Sequence, residues 1–424
     1  MTLEADAEAV RAAFPDPWLR AFSVKANDVA GIVARIAGLG FDANVVSRGE
    51  WAVARRAGLG NERITLEGVG KTDADLRAAC AAAAAGSPPR WIAIESLDEA
   101  EALVRIAGRE LGGERHGGGG ARMRGGQVAA ASRGHTRPRL DVLFRLNPEV
   151  TPETQRELAV GAASSKFGMA PHELSAAVEL VAAESALEPR GIHLHVGSQL
   201  RAVDAWRDAV RRGLAMLALL GGTRPRFDTL DVGGGFPILP LGDGAPDPAR
   251  FARELPALIE AIPADRRPKR LAIEPGRALV ARSGFLVARV LHVRDRGGRQ
   301  IVLDTGMAEL IRPALYDAWH EVVALTSLGR PIEPPTALRG PAEPHRRGVW
   351  TRQWRGRVPR TPQRAQPRGW SPPESKARYA NPRTTSASTC SRRSGAATWS
   401  SFGMRAPTRP RSPRPTTAGL GRRR

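Results

Sequence analysis

Three features of this sequence could do chemistry together: a lysine closing an apolar run, a triple glycine, and a carboxylate ahead of Pro-Gly. Lys25 ends "AFSVK" (21–25). An amine led in by Phe-Ser-Val can be desolvated, which lowers its pKa and makes it a nucleophile toward carbonyl carbon. The ordinary alternative is a lysine with a packed stem and a head in water. "DVGGGF" (231–236) leaves the amides of Gly233, Gly234 and Gly235 uncovered by side chains, and such amides can wrap a phosphate. Its plain alternative is a tight strand-to-helix turn.

Two nucleotide signatures fail. Phe236 and Pro237 follow the glycines where a dinucleotide fingerprint needs another pattern, and "EGVGKT" (67–72) has Thr65 where a P-loop needs its first glycine. A phosphate cradle with an opposing amine, and no hydride or nucleotide fingerprint, points to pyridoxal 5'-phosphate held as an imine. Glu274 in "LAIEPG" then stabilises the protonated ring nitrogen and strengthens the electron sink. His195 in "GIHLHVG" stacks on the ring, against the alternative of a core histidine.

Such residues need elements that bring them to one place. Apolar runs at 20–26, 43–47, 64–68, 91–96, 141–147, 191–197, 229–234 and 271–276 alternate with amphipathic helical patterns. Eight strand-helix units, each strand apolar on both faces, predict a TIM (β/α)8 barrel with a filled interior. A doubly wound open sheet is the alternative. In a barrel, functional groups collect at the carboxyl ends of the strands. Lys25, Ser47, Gly68, Glu95, Ser96, Arg145, Asn147, His195, Ser198, Gly233 to Gly235, Glu274 and Arg277 all fall there.

Charge separates the chain into parts. The formal net charge is +21, but residues 331–424 hold 21 of the 64 Lys+Arg and only 3 of the 43 Asp+Glu, so the body is not basic. Residues 108–139 are rich in Gly and Arg and are expected to be a disordered insert. With 15 prolines and few aliphatic residues, 331–424 is expected to be a disordered Arg/Pro-rich tail, with only nonspecific attraction for nucleic acid. The expected domains are thus a barrel over 1–280, a truncated β domain over 281–330 opening with two strands around a Gly-Gly turn, and the tail. No apolar run is long enough for a membrane span, and the acidic amphipathic start is unlike a signal peptide. Cys80 and Cys390 are too few for a disulfide framework or a four-ligand metal site, so no metal and a cytoplasmic location are expected.

The motifs in order resemble the fold-type III pyridoxal-phosphate decarboxylases, in the branch of the diaminopimelate decarboxylases. "FSVKAN" is similar to Y-A-V-K-A-N and "NVVSRGE" to D-V-V-S-x-G-E. "RLNPEV", "SSKFGM", "GIHLHVGSQL", "DVGGGF", "IEPGR" and "LDTGMAELIRPALYDAWHE" follow in family order across roughly residues 20–324. The resemblance implies an alanine racemase-like barrel plus β domain, a homodimer, and decarboxylation of meso-diaminopimelate to L-lysine and CO2. It implies that Lys25 carries the cofactor, that His195 stacks on it and that Glu274 pairs with its ring nitrogen. Ser198, Gly233, Gly234, Gly235 and Arg277 would bind or border the phosphate, and Arg277, Arg312 and Tyr316 would hold substrate carboxylates.

The family's later C-E-S-x-D and G-A-Y motifs have no counterpart. Cys390 stands in "STCSRR" and Tyr379 in "KARYANP", and the tail reads like translation in a shifted frame. Impaired turnover is the expectation. The alternatives are an ornithine or arginine decarboxylase, an amino-acid racemase, or an inactive remnant with a nucleic-acid-attracting tail.

Overall fold

Each strand run carries an apolar residue at every second position, and those residues form the outer wall. Ile64 and Leu66, Ile92 and Ile94, Ile192 and Leu194, and Leu230 and Val232 all join the core shared with the surrounding helices. The computed structural model describes residues 2–111, 139–154, 158–238, 245–295 and 298–316, together with 318, 320, 322–328 and 330. The expected disordered tail, and the expected insert beyond Leu111 as far as residue 138, lie outside the described residues.

Helix α1 (Thr2–Ala13) precedes β1 (Leu19–Ser23), and α2 (Ala30–Gly38) follows it. Then come β2 (Asp42–Val45), α3 (Arg48–Arg56), β3 (Ile64–Leu66), α4 (Asp73–Ala84), β4 (Trp91–Ile94) and α5 (Leu97–Glu110). The second half runs β5 (Leu140–Arg145), α6 (Pro171–Ala182), β6 (Leu187–His193), α7 (Asp204–Gly221), β7 (Thr229–Asp231), α8 (Pro248–Ala252), α9 (Leu255–Glu260), β8 (Arg270–Ile273) and α10 (Arg277–Val280). The eight strands pair in sequence order, all parallel, and β8 closes onto β1 through Leu19↔Ala272 and Arg20↔Ile273. Closure excludes the open sheet.

Helix faces seal the wall. On α4, Leu76, Ala79, Cys80 and Ala83 are buried, and on α5 Ala100, Leu103, Ile106 and Ala107 are. Helix α5 runs through Glu110 and Leu111 is buried, so the start of the expected insert at 108–111 belongs to the barrel. Ser47 and Ser96, expected among the functional strand ends, are N-caps: their hydroxyls accept from Glu50 N at 3.2 Å and Glu99 N at 3.1 Å. Each satisfies an amide that the first helical turn leaves without a partner.

Beyond the barrel, β9 (Val290–Asp295) and β10 (Arg299–Leu303) pair antiparallel, and α11 (Arg312–Tyr316) follows. Many apolar side chains of this region stand in solvent, Phe285 at 91% exposure and Leu328 at 82%.

Candidate active site

Strand alternation that sends Ile, Leu and Val outward sends the intervening residues into the lumen. The lower interior is apolar: Trp91, Ala93, Leu143 and Ala272 form their own buried cluster with Leu19 packed against it. Higher up, each strand or its immediate continuation contributes one buried polar residue. These are Ser23, Asn44, Glu67, Glu95, Arg145, His193, Asp231 and Glu274. The expectation of strands apolar on both faces is therefore corrected, because a barrel lumen can take the polar face that an open sheet would turn to water.

Within this ring the carboxylates and the imidazole are crowded. His193 Nε2 lies 3.4 Å from Glu67 Oε2 and 3.6 Å from Glu274 Oε2. Trp91 Nε1 donates to Glu67 Oε1 at 3.3 Å, and Asn44 Nδ2 donates to Glu274 Oε1. Burial, reinforced by the like charge of Glu274, pushes the Glu67 carboxyl up to about 8. Burial likewise brings His193 down to about 4, so its ring is neutral. Asp231 is pushed well above the usual carboxylate range by burial and by the negative charge of Glu274 and Glu67. On the other side of the lumen Arg145 Nη1 donates to Glu95 Oε1 at 2.8 Å. Burial opposes ionisation of Glu95, but this guanidinium holds it below its ordinary value.

The residues expected to hold the cofactor follow four consecutive staves, β6, β7, β8 and β1, whereas Arg312 and Tyr316 lie on α11. His195 lies two residues past β6, and its Nδ1 accepts from Gly234 N at 3.3 Å. Burial first, then the cations of Lys25 and Arg145, hold this imidazole well below its ordinary pKa. Gly233 has φ +68° and Gly235 φ +99°, where a side chain is strained. A Cβ at Gly233 would stand 2.2 Å from Leu194 O, and one at Gly234 2.2 Å from Glu274 O. Gly233 N donates to Asp231 Oδ1 at 2.8 Å, so the expected trio of uncovered amides is corrected. Gly235 N–H alone of the three has no hydrogen-bond partner among the described residues.

Lys25 departs from expectation in one respect. Strand β1 ends at Ser23, and a 3-10 turn over Val24–Ala26 buries Val24 and lifts Lys25 to the rim, where it is exposed. The apolar lead-in anchors the turn rather than enclosing the amine. The turn is nonetheless fixed against β8: Ser23 N donates to Pro275 O at 3.1 Å and Ser23 Oγ to Glu274 O at 3.2 Å. The charge of Lys25 acts on His195, His193 and Glu50. Glu50, half-buried on α3 and accepting from Val46 N at 3.0 Å, is a neighbour of the lysine that sequence reasoning missed.

Ser198 is half-buried beyond β6, its carbonyl accepting from Thr154 Oγ1 at 2.5 Å. Arg277 opens α10 directly after Glu274 and Pro275-Gly276. Arg312, on α11, lies 3.3 Å from His320 Nε2. His320 is lowered by burial and then by the cations of both Arg312 and Arg277, so the two arginines share one neighbourhood. Tyr316 ends α11, and its side chain lies outside the described set.

These groups suit pyridoxal phosphate. An exposed amine stands on the turn after β1, an imidazole and a glycine bend with one open amide follow β6 and β7, and a buried carboxylate follows β8. Asp231 Oδ2 and both His193 nitrogens, buried without hydrogen-bond partners, mark a polar lumen rather than a packed one. Fold and site together define a fold-type III pyridoxal-phosphate decarboxylase.

Residues 1–281 match the pyridoxal-dependent decarboxylase, pyridoxal binding domain family, and the chain belongs to that family. It is 33% identical to diaminopimelate decarboxylase of Aquifex aeolicus over 327 residues, 76% of this chain and 69% of that one. It is 36% identical to the enzyme of the same name from Actinosynnema pretiosum, over 78% of this chain and 68% of that one. Among solved structures, a point mutant of diaminopimelate decarboxylase from Helicobacter pylori complexed with L-lysine superposes with a TM-score of 0.64 at 25% identity, covering 77% of this chain and 74% of the other.

Proposed function

We propose that the chain acts as a pyridoxal-phosphate-dependent amino-acid carboxy-lyase on meso-diaminopimelate, giving L-lysine and CO2. The observation that carries this reading is the meeting of Lys25, His195, Gly233 to Gly235 and Glu274 on four adjacent staves of one barrel mouth. The relatives named diaminopimelate decarboxylase support the substrate.

When bound, pyridoxal phosphate supplies an electron sink for the pair left behind as CO2 departs. The chain's own residues prepare that event. Lys25 Nζ is the covalent anchor. His195, its Nδ1 committed to Gly234 N–H, offers a neutral ring face for stacking. Gly235 N–H, Ser198 and Arg277 form the phosphate end, and Glu274 holds a proton at the ring nitrogen. Arg277 and Arg312, with Tyr316 on the same helix as Arg312, bind substrate carboxylates, for which the guanidinium fork is suited.

The test uses purified full-length chain mixed with pyridoxal phosphate. A visible imine band that borohydride bleaches is expected, and Lys25→Ala should lack it; a colourless wild type would reject the reading. Radiolabelled CO2 release from diaminopimelate, ornithine, arginine and lysine then ranks substrates, with the first expected to lead. The exposed apolar side chains around β9 and β10 support a homodimer, which sedimentation would detect and a purely monomeric chain would refute. No described helix is long and apolar enough to cross a membrane. A cytoplasmic location is part of the proposal, and cell fractionation checks it.

A further inference from the structure

The buried pair Glu67 and Glu274 has more acid than its surroundings can ionise. Both carboxyls are 3% exposed, and their oxygens lie with His193 Nε2 in one group within 4.8 Å of one another. Two like charges at that spacing, away from water, are not both sustained, and one proton is retained between them. The hydrogen bonds fix which oxygen of each carboxyl is open to that proton. Glu67 Oε1 accepts from Trp91 Nε1, which leaves Oε2 to carry the proton. Glu274 Oε1 accepts from Asn44 Nδ2, which leaves its Oε2 to receive one. The two carboxyls face each other within 4.8 Å, with the His193 ring beside both.

We propose that Glu67 is a positioning residue: it keeps one proton in the lumen and donates it to Glu274, fixing Glu274 as the single carboxylate directed at the ring nitrogen of the bound cofactor. The inference rests on the cofactor reading above and adds to it a residue outside the expected site. The groups facing Glu67 are Glu274 from the end of β8, His193 from β6, Asp231 from β7 and the indole of Trp91 from β4. His193 is neutral and cannot supply a counter-charge. Asp231, whose Oδ1 accepts from Gly233 N, is the other carboxyl raised by the same neighbours.

Infrared titration of the cofactor-free full-length chain tests this without reference to catalysis. The wild type should show a protonated-carboxyl C=O band at neutral pH that disappears with a midpoint of about 8. Glu67→Gln, which keeps shape and a donor, should lack that component, whereas Asp231→Asn should retain it. Glu274→Gln should move the midpoint down, since the like charge is gone. A wild type with no such band at neutral pH, or a band unchanged in Glu67→Gln, overturns the proposal. If Glu67→Gln fails to fold, Asp231→Asn still tests the assignment, because a band lost in that variant would place the proton on Asp231 and overturn the proposal. With pyridoxal phosphate bound, the pH profile of the visible band should show an inflection near 8 that Glu67→Gln abolishes; an inflection that survives in the variant also counts against Glu67. Failure of the cofactor reading is distinct, because it would leave the infrared result intact and the visible band missing.

Discussion

At the scale of single residues, close approach and hydrogen bonding decide what each position tolerates. Gly234→Ala would press a methyl to 2.2 Å from Glu274 O, a backbone atom that cannot swing away. The variant should lose about 1–3 kcal/mol in urea unfolding, as overpacked sites do, and bind pyridoxal phosphate more weakly by absorbance titration. Asn44→Leu removes the donor to Glu274 Oε1 and should cost about 1–3 kcal/mol for the unsatisfied buried acceptor. Lys25, His195, the glycines and Glu274 could be put forward from sequence because each lies in a compact motif whose chemistry is local. Glu67 and His193 were not. "TLEGVGK" invites comparison with a P-loop, and only the closed barrel brings Glu67 within reach of two residues more than a hundred positions away.

Elements explain where the strand expectations shifted. Every strand was foreseen, yet β6 begins at Leu187, four residues before the expected run, because Glu188, Pro189 and Arg190 disguise it. The pairing with β5 steps from Val142↔Pro189 to Leu143↔Gly191, skipping Arg190. At that irregularity a proline lacking an N–H is tolerated, and Arg190 turns to Asp141 at 3.3 Å and Asp228 at 3.4 Å. Strands β4 and β5 are joined above their ladder by the Glu95–Arg145 pair, 1% and 7% exposed. Arg145→Leu would strand a buried carboxylate and should cost about 3–5 kcal/mol. Converting Glu95 to Leu in the same chain should recover most of that loss. A double variant as unstable as the single in urea unfolding would mean the guanidinium acts through its contact with Phe167 instead, whose ring centroid lies 4.9 Å away.

For the whole molecule, a lumen lined with acids and neutral imidazoles makes folding stability depend on pH in a direction that can be worked out. Glu67 titrates at about 8 in the folded chain against 4.5 unfolded. Over that window the folded state binds more protons, so stability falls as pH rises. His193 titrates at about 4 against 6.5 unfolded, the folded state there binds fewer protons, and stability rises with pH across that interval. His195 has the same sign as His193 and Asp231 the same sign as Glu67. From 4.5 to 6.5 Glu67 and His193 oppose each other, and between these two the profile is nearly level. Above 6.5 the histidines are neutral in both states and no longer compensate, so stability declines toward pH 8, with Glu67 contributing up to about 1.4 kcal/mol per pH unit. Urea unfolding of the full-length chain at several pH values across that interval should give a descending series of midpoints, and Glu67→Gln should flatten it by about one proton's worth of slope. A wild-type series that stays level or climbs, or a variant series equally steep, would mean that the lumen does not retain the proton its geometry calls for.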